Sequence, residues 1–311
     1  MAAPDRYEIF GIILETEWPL RTRMVRTARE PDLRFSVVVQ PPRTATWAPL
    51  VEPDDPDQPI VGHFDQIEGV RVPRVGDAWF IDDDIVFHLE NPEYDYHVEV
   101  ALLSYLIAYW LEQRGRVTLH GSAVAGAGWS IGILGPNGSG KTSAALDLVE
   151  LGMSLITDDL IAVSRSSRPA EAHPGFPEVR LWPDEAELRF GSSDGFAKAH
   201  PRYEKLRIPL DISKFAGGPA PLTGLYVTLP PEAKASSIEP IEGPDALFHL
   251  MLNSFPRVLF DVPARRAGWI GRLGDLLDVP MFSLPSATDR SWLLSHASEI
   301  AGQTSQSKRS G

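Results

Sequence analysis

Gly135-Pro136-Asn137-Gly138-Ser139-Gly140-Lys141-Thr142 is the stretch on which the reading of this chain turns. It fits the pattern G-x-x-x-x-G-K-[ST] at every position. Each residue type has a physical task. The glycines let the backbone fold tightly, so that successive N–H groups can aim at phosphate oxygens. Lys141 supplies a point charge to the β- and γ-phosphates, and the Thr142 hydroxyl is suited to Mg²⁺. A helix opening at Lys141 would add the positive end of its dipole. The pattern has the context it needs: Ile131–Leu134 reads as a strand before it and Thr142–Leu151 as a helix after it. The sequence therefore points to ATP with Mg²⁺, held by Gly135, Pro136, Asn137, Gly138, Ser139, Gly140, Lys141, Thr142 and Ser143.

Outward from this loop the period of the apolar residues organises the chain. Val117–Ala125 and Ser130–Leu134 read as strands, Lys141–Leu151 as a helix, and Leu155–Thr157 and Leu160–Ser164 as strands again. Upstream, Val98, Leu102, Leu103, Leu106, Ile107, Trp110 and Leu111 recur at helical spacing, with Gly115 as a stop. Residues 1–95 read instead as short strands, among them Tyr7–Leu14, Phe35–Gln40, Ala78–Ile81 and Ile85–Leu89, parted by Pro- and Asp-rich turns. Downstream lie a Pro-rich stretch around Glu178, a basic patch, a strand at Gly224–Leu229, and helices near Asp245–Asn253, Arg265–Leu277 and Asp289–Ile300. The expected organisation is an α/β protein: a β-rich accessory domain over 1–95, a P-loop domain over 96–301, and a disordered polar tail over 302–311.

Composition narrows the function. The 311 residues are 43% hydrophobic and 23% charged, an ordinary globular balance. A net charge of −13 repels phosphate backbones and makes nucleic acid a poor partner. The absence of cysteine removes disulfides, thiolate nucleophiles and Cys-based zinc sites together. The longest apolar run, Val100–Trp110, is broken by Ser104 and too short for a bilayer, and the first residues lack a signal-peptide pattern. A soluble cytoplasmic protein is expected, and a homo-oligomer stays open.

Seventeen residues past Lys141, a short strand runs into Thr157-Asp158-Asp159. Two carboxylates at a strand end can divide labour, one holding Mg²⁺ and the other accepting a proton from an attacking hydroxyl. A solvated turn is the plain alternative, since Asp is common there. His120, one strand before the loop, reads either as a site residue or as a core histidine with its ring nitrogens satisfied. The patch Lys198, Arg202, Lys205 and Arg207 either clamps phosphates or an acidic acceptor, or solvates a surface.

His120-Gly121-Ser122-Ala123, the loop, Leu151-Gly152 and Thr157-Asp158-Asp159 together resemble the core of bacterial HPr kinase/phosphorylase, over about Thr118–Asp184. The resemblance implies an HPr-kinase/PEP-carboxykinase-like P-loop core, and the opening residues look like stand-alone HPr-kinase-related proteins, some of which phosphorylate lasso-peptide precursors. It implies an ATP-dependent serine kinase with Asp158 as general base beside His120 and Lys141. It also implies Asp159 on Mg²⁺ with Thr142, Glu178 as a further metal ligand with Arg180 after it, and a peptide or protein acceptor; Arg180 and the patch residues Lys198, Arg202 and Lys205 are the candidates to meet that acceptor. The parent family has glycine where this chain has Leu181-Trp182-Pro183. Phosphorolysis, a small-molecule kinase and a non-catalytic ATP sensor are the rival readings. Lys141→Ala removes the loop's side-chain cation, so ATP binding or turnover should collapse while circular dichroism and the melting transition stay native. Unchanged turnover would dismiss the loop assignment.

Overall fold

Turn chemistry and alternation set the first unit. The structure, a computed structural model, describes residues 4–52, 55–165, 169–200, 203–229, 237–256 and 262–284. The fold divides into two compact units, Met1–Arg114 with Phe255–Trp269, and Gly115–Ser254 with Ile270–Gly311. In the first unit lie β1 (Asp5–Ile9), β2 (Ile12–Thr16), β3 (Val25–Arg26), β4 (Leu33–Val38), β5 (Trp47–Pro49), β6 (Ile60–Phe64), β7 (Ile67–Val72), β8 (Gly76–Ile81) and β9 (Asp84–Leu89). They form one sheet in the order β3-β1-β2-β4-β9-β8-β7-β6-β5. The single strand expected over Tyr7–Leu14 is a hairpin, because Phe10 and Gly11 both take positive φ, +52° and +74°. Ile9, Leu14, Leu33, Ile85 and Phe87 bury one side of this sheet, Ile13 is buried on the other, and the Phe64 and Trp79 rings stack 4.0 Å apart.

The helical period over 96–113 yields α1 (Asp95–Ala101) and α2 (Ile107–Gln113), joined through a wider π turn at Leu102–Leu106. The extra residue per turn shifts the apolar face, yet Leu102, Leu103, Leu106, Ile107 and Leu111 are all buried. Glu99, buried at the end of α1, accepts from the backbone N–H groups of Arg21 and Thr22, which makes its burial tolerable.

The second unit holds the α/β part. Its elements are β10 (Val117–Gly126), β11 (Trp129–Leu134), α3 (Lys141–Glu150), β12 (Ser154–Thr157), β13 (Leu160–Ser164), β14 (Glu171–His173), β15 (Glu178–Leu181) and α4 (Pro183–Phe190). They continue with β16 (Lys198–His200), β17 (Tyr203–Pro209), β18 (Ala220–Thr228), β19 (Pro240–Ile241), α5 (Gly243–Asn253), α6 (Pro263–Gly274), which runs across the division, and β20 (Met281–Leu284). The larger sheet runs β11-β10-β13-β14-β18-β20-β19, with β12 added on β10. Because β11 also pairs in parallel with β18, the strands β11, β10, β13, β14 and β18 form a closed circuit of pairings. Nearly every residue of β10, β11 and β13 is buried, as a sheet covered on both faces requires.

The Pro-rich and basic stretches are more regular than their composition suggests. Glu178–Leu181 and Tyr203–Pro209 pair as antiparallel strands with Lys198–His200 beside them, and Pro183 starts α4 at a position where the missing N–H costs nothing. The helix expected at Asp289–Ile300 and the tail over 302–311 lie outside the described residues. No helix among the described residues is long and apolar enough to cross a membrane.

On β14, His173 is buried with its Nε2 2.8 Å from Ser164 Oγ, and burial, assisted by Arg116, lowers its pKa to about 4. A histidine held neutral in the fold but free to protonate near 6.5 when unfolded stabilises the protein above that pH. The contribution fades as pH falls from about 6.5 toward 4, by about 2 kcal/mol at pH 5. Urea titrations of wild type and His173→Gln at pH 7.5 and pH 5 should therefore differ, with a steeper loss in the wild type. Parallel losses would show that His173 does not carry this pH dependence.

Candidate nucleotide and phosphoryl-transfer site

The loop after β11 is set by three positive-φ glycines, Gly135 (+144°), Gly138 (+79°) and Gly140 (+86°). At Gly135 the register is decisive: Leu134 lies beside Val227 in the parallel β11–β18 pair, so the next residues, Gly135 and Thr228, crowd one another. A Cβ on Gly135 would fall 1.8 Å from Thr228 Oγ1. The Gly135 N–H donates to buried Asn253 Oδ1 at 2.9 Å, and Thr228 Oγ1 donates to Ser139 Oγ at 2.8 Å, so α5 and β18 both hold the loop's shape. Lys141 is buried, and its Nζ donates to the Gly135 and Pro136 carbonyls at 2.9 and 2.8 Å. Burial lowers its pKa, against the pull of Asp159 and Asp158.

The two aspartates diverge. Leu160 N–H donates to the Asp158 carbonyl at 2.9 Å across Asp159, whose φ is +66°. This is a γ-turn with positive φ, a conformation that L-residues rarely adopt. It sends Asp158 into the interior and Asp159 into the cleft. Asp158 is buried and accepts from Ser122 Oγ (2.6 Å) and Thr142 Oγ1 (2.9 Å) on one oxygen and from Arg180 N–H (3.1 Å) on the other. Burial raises its pKa, reinforced by Asp159 and opposed by those three donors. Asp159, its side chain 34% exposed, pairs with Arg180 Nη1 at 3.3 Å. Burial works to raise its pKa, but Arg180, Lys205, His120 and Lys141 outweigh it and hold the group below the usual carboxylate range, with solvent screening part of that pull.

His120 joins the pair to the loop. Its Nδ1–H donates to the Asp159 carbonyl at 3.0 Å and its Nε2 stands 2.9 Å from Asn137 Oδ1. Gly121 N–H donates to the same carbonyl at 3.2 Å, so β10 fixes the turn twice. Together His120, Asn137, Gly138, Gly140, Lys141, Thr142, Ser143, Asp159, Arg180 and Lys205 line one cleft of about 220 Å³. Leu181, Trp182, Asp184 and Glu185 complete it. The rim is held by Arg189, buried on α4, which donates to Asp147 on α3 (2.6 Å), to Glu185 (2.6 Å) and to the Ser143 carbonyl (3.0 Å).

Not every expected residue meets there. Glu178 is buried on β15 and is not among the cleft's lining residues. Lys198 is exposed and paired with Glu204 at 2.8 Å. Arg202 lies outside the described residues. Several participants were not singled out in the sequence, Ser122, Trp182 and Asp184 among them. Ser122 could have been, because on a strand it shares a face with His120 two residues away. Trp182 and Asp184 carry no spacing signal of their own.

The donor chemistry suits Mg²⁺. Thr142 Oγ1 and the Asp158 carboxylate are hard oxygen donors in contact with each other, and Mg²⁺ favours one or two carboxylates completed by phosphate oxygens and water. Among the described residues no group of three or more His, Asp or Glu forms a dedicated metal cage.

No family model matches the chain. It is 42% identical over 60 residues to HPr kinase/phosphorylase of Lachnoclostridium phytofermentans, covering 19% of each protein. It is 43% identical over 67 residues to HPr kinase/phosphorylase of Mycoplasmopsis pulmonis, covering 22% of this chain and 21% of that one. The matched segment is HPr-kinase-like. The match spans about a fifth of the length of these curated relatives. The solved HPr(Ser) kinase/phosphatase from Coxiella burnetii aligns with 59% of this chain and 98% of its own at 11% identity. Its TM-score of 0.32 makes that likeness too loose to carry weight.

Gly135 and Gly138 give a controlled comparison. Both have positive φ, but a Cβ at Gly138 meets nothing within 4 Å among the described residues. Gly138→Ala should cost only the left-handed backbone penalty of about 1–2 kcal/mol. Gly135→Ala must also displace Thr228, and titration calorimetry with an ATP analogue should show at least a tenfold greater loss of affinity there. Equal effects would mean that the loop does not depend on its packing against β18.

Proposed function

We propose that this protein is an ATP-dependent kinase that transfers the γ-phosphoryl group to a hydroxyl, with serine of a peptide or protein as the acceptor favoured by the HPr-kinase likeness. The observation that carries the reading is the Thr142–Asp158 hydrogen bond at the root of a cleft that also holds Lys141, Asp159 and His120. A P-loop hydroxyl tied to a strand-end carboxylate is the arrangement in which P-loop enzymes hold Mg²⁺. Bound there, Mg²⁺ would add positive charge beside the β- and γ-phosphates.

The geometry favours the reverse of the division of labour implied by the resemblance. A general base must reach the acceptor's proton. Asp158 is buried with both oxygens engaged by donors, while Asp159 lines the cleft. In the proposed mechanism Thr142 and Asp158 serve the metal, Asp159 takes the hydroxyl proton, and Lys141 meets the β- and γ-phosphate oxygens. His120 orients Asp159 through its carbonyl and ties that turn to Asn137 of the loop. Arg180 keeps Asp159 ionised and in place. A non-catalytic ATP sensor would need no carboxylate in the cleft, so Asp159 speaks for chemistry.

Two substitutions separate the roles. Asp159→Asn should lower phosphoryl transfer by roughly 10²–10⁴-fold, the usual worth of a positioned base, with ATP affinity near wild type. Asp158→Asn should instead raise the Mg²⁺ concentration needed for half-maximal activity. The readout is mass-spectrometric detection of phosphorylated serine peptides at several Mg²⁺ concentrations. Exchanged phenotypes would restore Asp158 as the base, and phosphorylation of free sugars or amino acids with peptides untouched would replace the peptide acceptor.

A further inference from the structure

The wall of the cleft that faces the loop is built by β15, β17 and the start of α4, and it carries a cation that the mechanism above leaves unused. In the β15–β17 pair Arg180 lies opposite Arg207 and Leu181 opposite Leu206, so the next step of the register brings Lys205 opposite Trp182. Lys205 Nζ stands 5.8 Å from the centroid of the Trp182 ring, close enough for a cation–π contact. Trp182 is 48% exposed and lines the cleft with Lys205.

The other cations of the cleft have partners there. Arg180 is paired with Asp159, and Lys141 donates to two loop carbonyls. Lys205 makes no ion pair among the described residues. An aromatic face can hold an ammonium in place without neutralising it, whereas a carboxylate would cancel its charge. A lysine propped in this way stays available to an anionic ligand. It lines the same cleft as Lys141 and Asp159. These two groups are the loop's cation and the acceptor's base in the reading above.

We propose that Lys205, held on the face of Trp182, is a second cation on the phosphoryl group in transfer, and that Trp182 is its positioning residue. This rests on the phosphotransfer reading. In that step the bond between the γ-phosphorus and the β–γ bridging oxygen breaks, and its electron pair leaves with ADP. A new bond forms from the acceptor oxygen to phosphorus, and the hydroxyl proton passes to Asp159. The equatorial oxygens of the moving group carry much of the charge, which is where a fixed cation counts most. A clamp on an anionic group of the acceptor is the competing role for the same lysine.

ADP·Mg²⁺ with and without fluoroaluminate separates the two, because fluoroaluminate imitates the moving phosphoryl group and no acceptor is required. Binding to the full chain would be followed by titration calorimetry, with thermal melting to confirm folding. Lys205→Met should leave ADP affinity within about twofold and weaken the fluoroaluminate complex by about 10²-fold, the usual effect of removing one oriented donor. Lys205→Arg should recover most of this. Trp182→Ala should weaken the same complex by about tenfold, and Trp182→Phe should restore it by supplying a new ring face. Fluoroaluminate binding that Lys205→Met leaves unchanged would overturn the proposal in favour of the acceptor clamp. Equal loss of ADP and fluoroaluminate complexes would overturn it by making Lys205 a ground-state ligand of the nucleotide. A wild-type protein that binds neither would instead bring down the phosphotransfer reading beneath it.

Discussion

The buried carboxylate of Asp158 is the contact on which the arrangement of the cleft depends. An ionised carboxylate removed from water survives only if donors replace its hydration. Here the donors come from three separate elements: Ser122 from β10, Thr142 from the first turn of α3, and the Arg180 N–H from β15. The requirement to satisfy one group therefore sets the spacing of a strand, the phosphate-loop helix and the opposite wall. Loss of any donor would loosen the fit of the other two.

A second tie works at the far end of α3. Arg189 and Asp147 are both buried, and the same guanidinium reaches Glu185 and the Ser143 carbonyl. It fastens α4 to the helix that begins at the loop, so the residues at the start of α4 stand at the cleft's rim. Buried ion pairs contribute little net stability, but breaking one leaves a stranded charge. Their value here is positional. Neither tie uses a long-range field, so the chain's acidic surplus acts on the surroundings of the cleft rather than on its geometry.

Much of the site is legible in the sequence because the loop's demands are local. Glycines at positive φ, a lysine and a hydroxyl at fixed spacing leave few alternatives, and the aspartate pair shows by type and position that it belongs nearby. The division of roles proposed for the pair is not legible, because it rests on a turn at Asp159 that spacing alone does not encode. Ser122 is hidden for a similar reason: its importance comes from Asp158, 36 residues later. The wall formed by β15, β17 and α4 escapes notice because prolines suggest irregular chain. Pro183 in fact occupies a helix start, and Pro209 ends its strand. The Tyr7–Leu14 segment errs the other way, since its apolar residues conceal the bend at Phe10.

The γ-turn has one more consequence. A positive-φ conformation at a residue with a side chain stores on the order of 1–3 kcal/mol of strain, which glycine would relieve. On stability grounds the best residue at position 159 is thus one with no side chain at all. The turn and the carboxylate are in competition: the backbone favours an empty position, while the proposed proton transfer needs a carboxylate there. Any search for more thermostable variants of this protein would be drawn to this position, and would find its gain by giving up the proposed base.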